Sequence, residues 1–246
     1  MLTATDAFLW EFLGTTLLLL LGNGVCAVNA LRTSGGKGTG WVLIAFGWGM
    51  AVYVGASVAD VSGGHLNPAV TVMLAIKGAV SWSLVPAYVG GQLLGAIFGA
   101  VLAWAAFKQL FDANNLDEQG NVTGANKNVG SSVFFTAPAE PNNAWNTVTE
   151  FIATSVLLIF IAFGPTGGEL GPLTYFGVAF VIVAIGMSLG TPTGYALNPV
   201  RDFGPRLAYA FLLPIPGKGD PNWGYAWVPV AGPMLAAVAV GLLAAL

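Results

Sequence analysis

Ser62-Gly63-Gly64-His65-Leu66-Asn67-Pro68-Ala69-Val70 and Gly194-Tyr195-Ala196-Leu197-Asn198-Pro199-Val200-Arg201-Asp202 each place an Asn-Pro pair in sequence otherwise apolar enough to lie in lipid. Proline suits the first turn of a helix, where its missing N–H costs nothing, and the asparagine before it can cap that turn. A helix that begins inside a bilayer exposes backbone N–H groups, which is tolerated only where they meet protein or a water-filled cavity. Two such starts, one in each half of the chain, predict a pore or binding site near the bilayer midplane.

Working outward, the rest of the chain reads as membrane. Apolar residues fill 56% of the 246 positions and charged residues only 8%, a balance that no soluble core of this size requires. A bilayer-length window gives six spans: Phe8 to Ala30, Trp41 to Val61, Trp82 to Phe107, Trp145 to Gly164, Leu173 to Leu189 and Ala226 to Leu246. Ser62 to Gly78 and Gly190 to Leu213 are too short and too interrupted to cross, and both read as re-entrant segments. Trp41, Trp82, Trp145, Trp223 and Trp227 fall near span ends, where an amphipathic ring suits the headgroup layer. The net charge of −3 lies mostly in loops and no polybasic tail is present, so neither a nucleic-acid partner nor anionic-lipid binding is expected. A lone Cys26 excludes an intrachain disulfide. The first apolar stretch follows a Met1 to Asp6 leader, is long and carries Glu11, so no signal-peptide cleavage is expected.

The two halves repeat. Glu11-Phe12-Leu13-Gly14-Thr15-Thr16 in the first span matches Glu150-Phe151-Ile152-Ala153-Thr154-Ser155 in the fourth, and each is followed, one span later, by its Asn-Pro segment. Three spans per half is an odd number, so the second copy enters the membrane from the opposite side. The expected architecture is a single all-α channel domain over 1–246. Its inverted repeats are approximately 8–107 and 145–246, joined by loop 108–144, with the two half-helix N-termini meeting at mid-membrane. Gly63 and Gly64 before Asn67, and Gly190 and Gly194 before Asn198, suit extended approach segments that expose a row of carbonyls.

These residues resemble the two signatures of the major intrinsic proteins, the aquaporin and glycerol-facilitator family, and the resemblance covers essentially the whole chain. Arg201-Asp202-Phe203-Gly204-Pro205-Arg206 and the tail Pro214 to Gly219 are most similar to the bacterial glycerol facilitators. The resemblance implies the aquaporin fold and an inner-membrane, multi-pass homotetramer with one pore per subunit. It also implies facilitated diffusion of glycerol, other small polyols and water, and no cofactor. A constriction is implied at Arg201 with an aromatic of the second span, Trp48, a fifth-span residue, Gly186, and the residue three before Asn198, Tyr195. The spacing from Trp48 to Asn67 is one residue shorter than the family pattern, which leaves Phe46 and Gly47 as alternatives. Water-selective members carry a histidine at the fifth-span position. Here it is Gly186, and the only histidine is His65.

Physical reasoning supplies roles for the same residues. Each half-helix start carries roughly half an elementary positive charge, so two starts meeting at Asn67 and Asn198 oppose protons and cations. An arginine in a membrane segment costs a few kcal/mol or more and normally faces water or a pore. Arg201, about one turn after Asn198, is placed to donate to a permeant oxygen, whereas Arg206 reads as structural. Trp48 and Tyr195 opposite that cation would hold a polyol's carbon backbone, which fits glycerol better than water alone. The resemblance implies that Glu11 and Glu150 are buried acceptors bracing the re-entrant segments, with Pro68, Pro199 and Asp202 as further structural support. His65 is expected to turn its backbone carbonyl to the pore and to bind no metal. No phosphate loop, nucleophile triad or metal cluster supports an enzyme. Two rivals stay open: a water-selective channel, against which Gly186 and Asp202 argue, and an alternating-access transporter, against which the scarcity of charge in the spans argues. Arg32, Lys37, Lys108, Lys127 and Lys218 fall on the outer side in the family topology, against the positive-inside tendency.

Overall fold

The computed structural model describes residues 2–117, 119–164 and 173–246, so Met1 of the leader lies outside it. The described residues form helices and connections with no strand, save one isolated bridge between Leu116 and Val122. In chain order the helices are α1 (Ala4–Ala30), α2 (Trp41–Val58), α3 (Pro68–Ile76), α4 (Val85–Ala106) and α5 (Lys108–Asn114). They continue with α6 (Asn143–Phe163), α7 (Thr174–Leu189), α8 (Pro199–Phe211) and α9 (Val228–Ala244).

Helix boundaries follow local chemistry. Thr3 opens α1 with a capping box, its hydroxyl accepting from Asp6 N while the Asp6 carboxylate accepts from Thr3 N. Asn142 caps α6 by accepting from Trp145 N. Among the described residues α1, α2, α4 and α6 are long and apolar enough to cross a membrane. The other two expected spans are apolar but shorter, 16 residues in α7 and 17 in α9. At 1.5 Å per residue these reach roughly 25 Å, a little under the hydrocarbon core. In α9 the cause is local: Pro229 sets the first turn at Val228, so the helix starts two residues later than the apolar run.

Helix pairing repeats between the halves. α1 packs on α2 and α4 as α6 packs on α7 and α9, and each half-helix packs on the last span of the other half, α3 on α9 and α8 on α4. Without a hydrophobic force between helices in lipid, close backbone approach is the main source of attraction. Gly91, Gly95 and Gly99 of α4 supply it: a Cβ on any of them would come within 2.3–2.5 Å of the Phe8, Phe12 or Thr16 carbonyl of α1. α3 and α8, at nine and 13 residues, begin inside the bundle, and their N-terminal ends face each other there.

Candidate functional site

Asn67 and Asn198 both adopt extended backbone and cap the helices that Pro68 and Pro199 begin. Asn67 Oδ1 accepts from Ala69 N at 2.8 Å, and Asn198 Oδ1 accepts from Val200 N at 3.1 Å and Arg201 N at 3.3 Å. Each carboxamide then reaches across. Asn67 Nδ2 donates to the Leu197 carbonyl at 2.9 Å and Asn198 Nδ2 to the Leu66 carbonyl at 2.7 Å, so the two motifs lock reciprocally.

The segments leading to these caps are fixed by the two buried glutamates. Glu11 accepts from His65 N, Leu66 N, Ser62 Oγ and Gln92 Nε2. Glu150 accepts from Ala196 N and Leu197 N. Pulling the amides toward the glutamates turns the carbonyls the other way. The backbone shares one pattern in both copies, with left-handed φ at Gly63, Gly64 and Leu66 (87°, 59° and 53°) and at Gly194, Tyr195 and Leu197 (80°, 39° and 57°).

Two cavities border these segments. The inner one, about 340 Å³, is bounded by Gly63, Gly64, His65, Asn67 and Asn198 together with apolar faces of α2, α6 and α7. The outer one, about 440 Å³, is bounded by Cys26, Trp41, Phe135, Thr136 and Gly194 among others. Trp48, Tyr195 and Arg201 are the three residues that border both, so the cavities meet at this trio. The Arg201 guanidinium lies 3.8 Å above the Trp48 ring centroid, and its Nη1 donates to the Phe134 carbonyl at 3.4 Å. Among the described residues it has no carboxylate partner, although Asp202 is its neighbour in sequence. Asp202 is committed elsewhere: Oδ1 pairs with Arg206 Nη2 at 2.7 Å, and Oδ2 accepts from Thr136 N and Oγ1. Arg206 is fully buried and also donates to the carbonyls of Thr136, Pro221 and Asn222.

The structure separates the three second-span alternatives. Trp48 is 4% exposed and borders both cavities. Phe46 is 41% exposed and packs edge-on against Phe180, and Gly47 faces Val25. Gly186 is not among the residues that border these two cavities. A Cβ there would sit 2.9 Å from Tyr195 Cζ and 3.0 Å from Ala45 Cβ, so the glycine makes room behind the Tyr195 ring. His65 borders the inner cavity, with Nδ1 3.0 Å from Thr71 Oγ1 and its ring stacked on Tyr88 at 4.4 Å. Phe134 and Thr136 were missed by sequence reasoning because they stand in the connecting loop. Their available signal was an aromatic pair, Phe134-Phe135, closing an otherwise polar stretch. The Cys26 sulfur accepts the Trp48 indole N–H at 3.3 Å, a role for which its place in an apolar run gives no signal.

Comparison with known proteins agrees with this geometry. The profile of the family described as "Major intrinsic protein" matches residues 1–244. The chain belongs to the major intrinsic protein family. Within it, the chain is 44% identical to the probable glycerol uptake facilitator protein of Thermotoga maritima, over 95% of each chain. It is 46% identical to the glycerol uptake facilitator protein of Bacillus subtilis, over 93% of this chain and 80% of that one. Among solved structures, the aquaglyceroporin from Plasmodium falciparum superposes with a TM-score of 0.77 at 27% identity, covering 97% of this chain and 94% of that one. The fold is therefore the six-span, two-half-helix inverted repeat of the major intrinsic proteins.

Proposed function

We propose that this protein is an inner-membrane channel for facilitated diffusion of glycerol and related small uncharged solutes, also conducting water and excluding protons and ions. The observation that carries this reading is the junction of the two cavities at Trp48, Tyr195 and Arg201, where the guanidinium lies over the Trp48 ring and has no carboxylate partner among the described residues. A guanidinium donates to hydroxyl oxygens and repels cations, while Trp48 and Tyr195 contact a carbon backbone. The names of the relatives, glycerol uptake facilitators and an aquaglyceroporin, support the choice of glycerol. Asn67 and Asn198 each spend one amide N–H on the opposite motif, and a second remains for a permeant oxygen in the inner cavity they border. Two donors on one oxygen interrupt a proton wire, and the half-helix dipoles add to the barrier.

The working unit is a single domain over 1–246, with repeats of approximately 8–107 and 145–246 joined by loop 108–144, assembled as a homotetramer with a pore in each subunit. Diffusion without coupling fits a pathway whose buried acids are engaged within the protein, Glu11 and Glu150 by backbone amides and Asp202 by the Thr136 amide and Arg206. Stopped-flow light scattering on proteoliposomes tests the proposal: glycerol equilibration well above that of protein-free liposomes is expected. Fast water flux with glycerol flux at the protein-free level would instead favour the water-selective reading.

A further inference from the structure

Tyr175 stands at the rim of the inner cavity. On α7, Ile182, Val178 and Tyr175 border that cavity in turn, running away from its junction with the outer one, and on α2 Trp48, Val52 and Ala56 do the same. Asp60 is exposed and lies about one turn past Ala56, where it opens the 3₁₀ turn Asp60–Ser62 that leads into the first re-entrant segment. The Tyr175 hydroxyl donates to Asp60 Oδ1 at 2.8 Å, its sole hydrogen bond among the described residues. The turn is held without that contact: Gly63 N donates to Asp60 O at 2.9 Å, Ser62 Oγ to Glu11 Oε1 at 2.7 Å and the Tyr88 hydroxyl to the Ser62 carbonyl at 2.6 Å. The carboxylate is therefore carried on a support that owes nothing to Tyr175, while the tyrosine hydroxyl depends on the carboxylate.

The surroundings give this bond a consequence for the pathway. The carbonyls of Gly63, Gly64 and His65 accept no hydrogen bond from the described residues, and all three residues border the cavity that Tyr175 borders. A hydroxyl without a partner is costly beside apolar walls, so a Tyr175 released from Asp60 turns to the free acceptors of the cavity. Those acceptors are the ones a permeant hydroxyl or water needs on the same route. A carboxylate makes a stronger bond to a hydroxyl than a carbonyl does, so the phenol stays at the rim while Asp60 is present. We propose that Asp60 is a positioning residue for permeation: by holding the Tyr175 hydroxyl at the rim it keeps that donor off the free carbonyls of the inner cavity. This rests on the channel reading and concerns the rate of passage, not the choice of solute.

The test measures glycerol and water permeability by stopped-flow light scattering in proteoliposomes of wild type, Asp60→Ala and the double variant Asp60→Ala with Tyr175→Phe, after subtraction of protein-free flux. Size-exclusion profile and thermal unfolding check that the variants are folded. The second substitution removes the hydroxyl that the first releases. Asp60→Ala is expected to lower both permeabilities together, about five-fold, the worth of one ordinary hydrogen bond, and the double variant to return both to near the wild-type values. Unchanged flux in Asp60→Ala, or a loss confined to one solute, overturns the proposal. So does a loss that Tyr175→Phe does not rescue, since that is what a merely structural carboxylate gives. A variant that fails to fold overturns it as well, because the turn is held without this side chain. If neither solute exceeds the protein-free rate in wild type, the channel reading itself fails.

Discussion

Arg201 and Arg206 lie on one half-helix and are treated in opposite ways. Arg206 is enclosed, paired with Asp202 and surrounded by three carbonyls, the condition under which a buried charge is stable. Among the described residues Arg201 has a ring face and one long side-chain hydrogen bond. A cation–π contact of this kind is worth roughly 0.5–2 kcal/mol, less than a full set of charge-assisted bonds, so most of its hydrogen-bonding capacity remains for a passing solute. Arg201→Val should therefore leave neutral-solute flux intact or increased, while a small proton or cation leak becomes measurable in a pH-dye proteoliposome assay. Unchanged selectivity with no added leak in a folded variant would make the arginine structural. Gly186 yields a second prediction at this scale. Gly186→Ala adds one methyl against Tyr195 Cζ and Ala45 Cβ, which displaces the ring and costs roughly 1–3 kcal/mol by overpacking. Glycerol flux should fall more than water flux, and equal losses would show that the ring had not moved into the glycerol path.

At the level of elements, the re-entrant segments depend on the glutamates rather than on their own helices, since nine residues make an intrinsically marginal helix. Glu11→Ala strands the amides of His65 and Leu66 and frees Gln92, at roughly 1–3 kcal/mol per unsatisfied group. A fall in thermal unfolding temperature of roughly 10 °C is expected by differential scanning fluorimetry, with Glu11→Gln losing less because one acceptor oxygen remains. An unfolding temperature unchanged in Glu11→Ala would contradict the bracing role. Lys218 acts at the other end of α8, donating to the carbonyls of Tyr209, Ala210 and Leu213 where the helix runs out. Lys77 likewise donates to Ala162 O and Arg32 to Ala113 O. These cations are engaged by local carbonyls, which gives them a structural use apart from topology signalling. The span order and the half-helices were legible in the sequence because proline and asparagine each have few physical uses in lipid, whereas the bracing role of the glutamates followed from the family resemblance. Phe134 and Thr136 were not, because a loop has no period to read and its role depends on where it folds back. Gly186 was legible as a small residue near the constriction, but only the ring stacked over it shows that it acts by yielding space.

For the whole molecule, the two cavities share Trp48, Tyr195 and Arg201, and the reciprocal Asn67 and Asn198 bonds join the two half-helix starts. An alternating-access device would need a site whose charge changes with an ion or proton, and its two halves would have to separate. Here the halves are tied at mid-membrane by two buried hydrogen bonds, and each half-helix packs on the opposite half. Passive diffusion is thus the central claim, and glycerol flux into proteoliposomes measured over a wide concentration range, with and without pH and sodium gradients, tests it most directly. The account predicts flux nearly linear in concentration, of low activation energy and indifferent to either gradient. Saturation at low concentration together with stimulation by an ion gradient would contradict it.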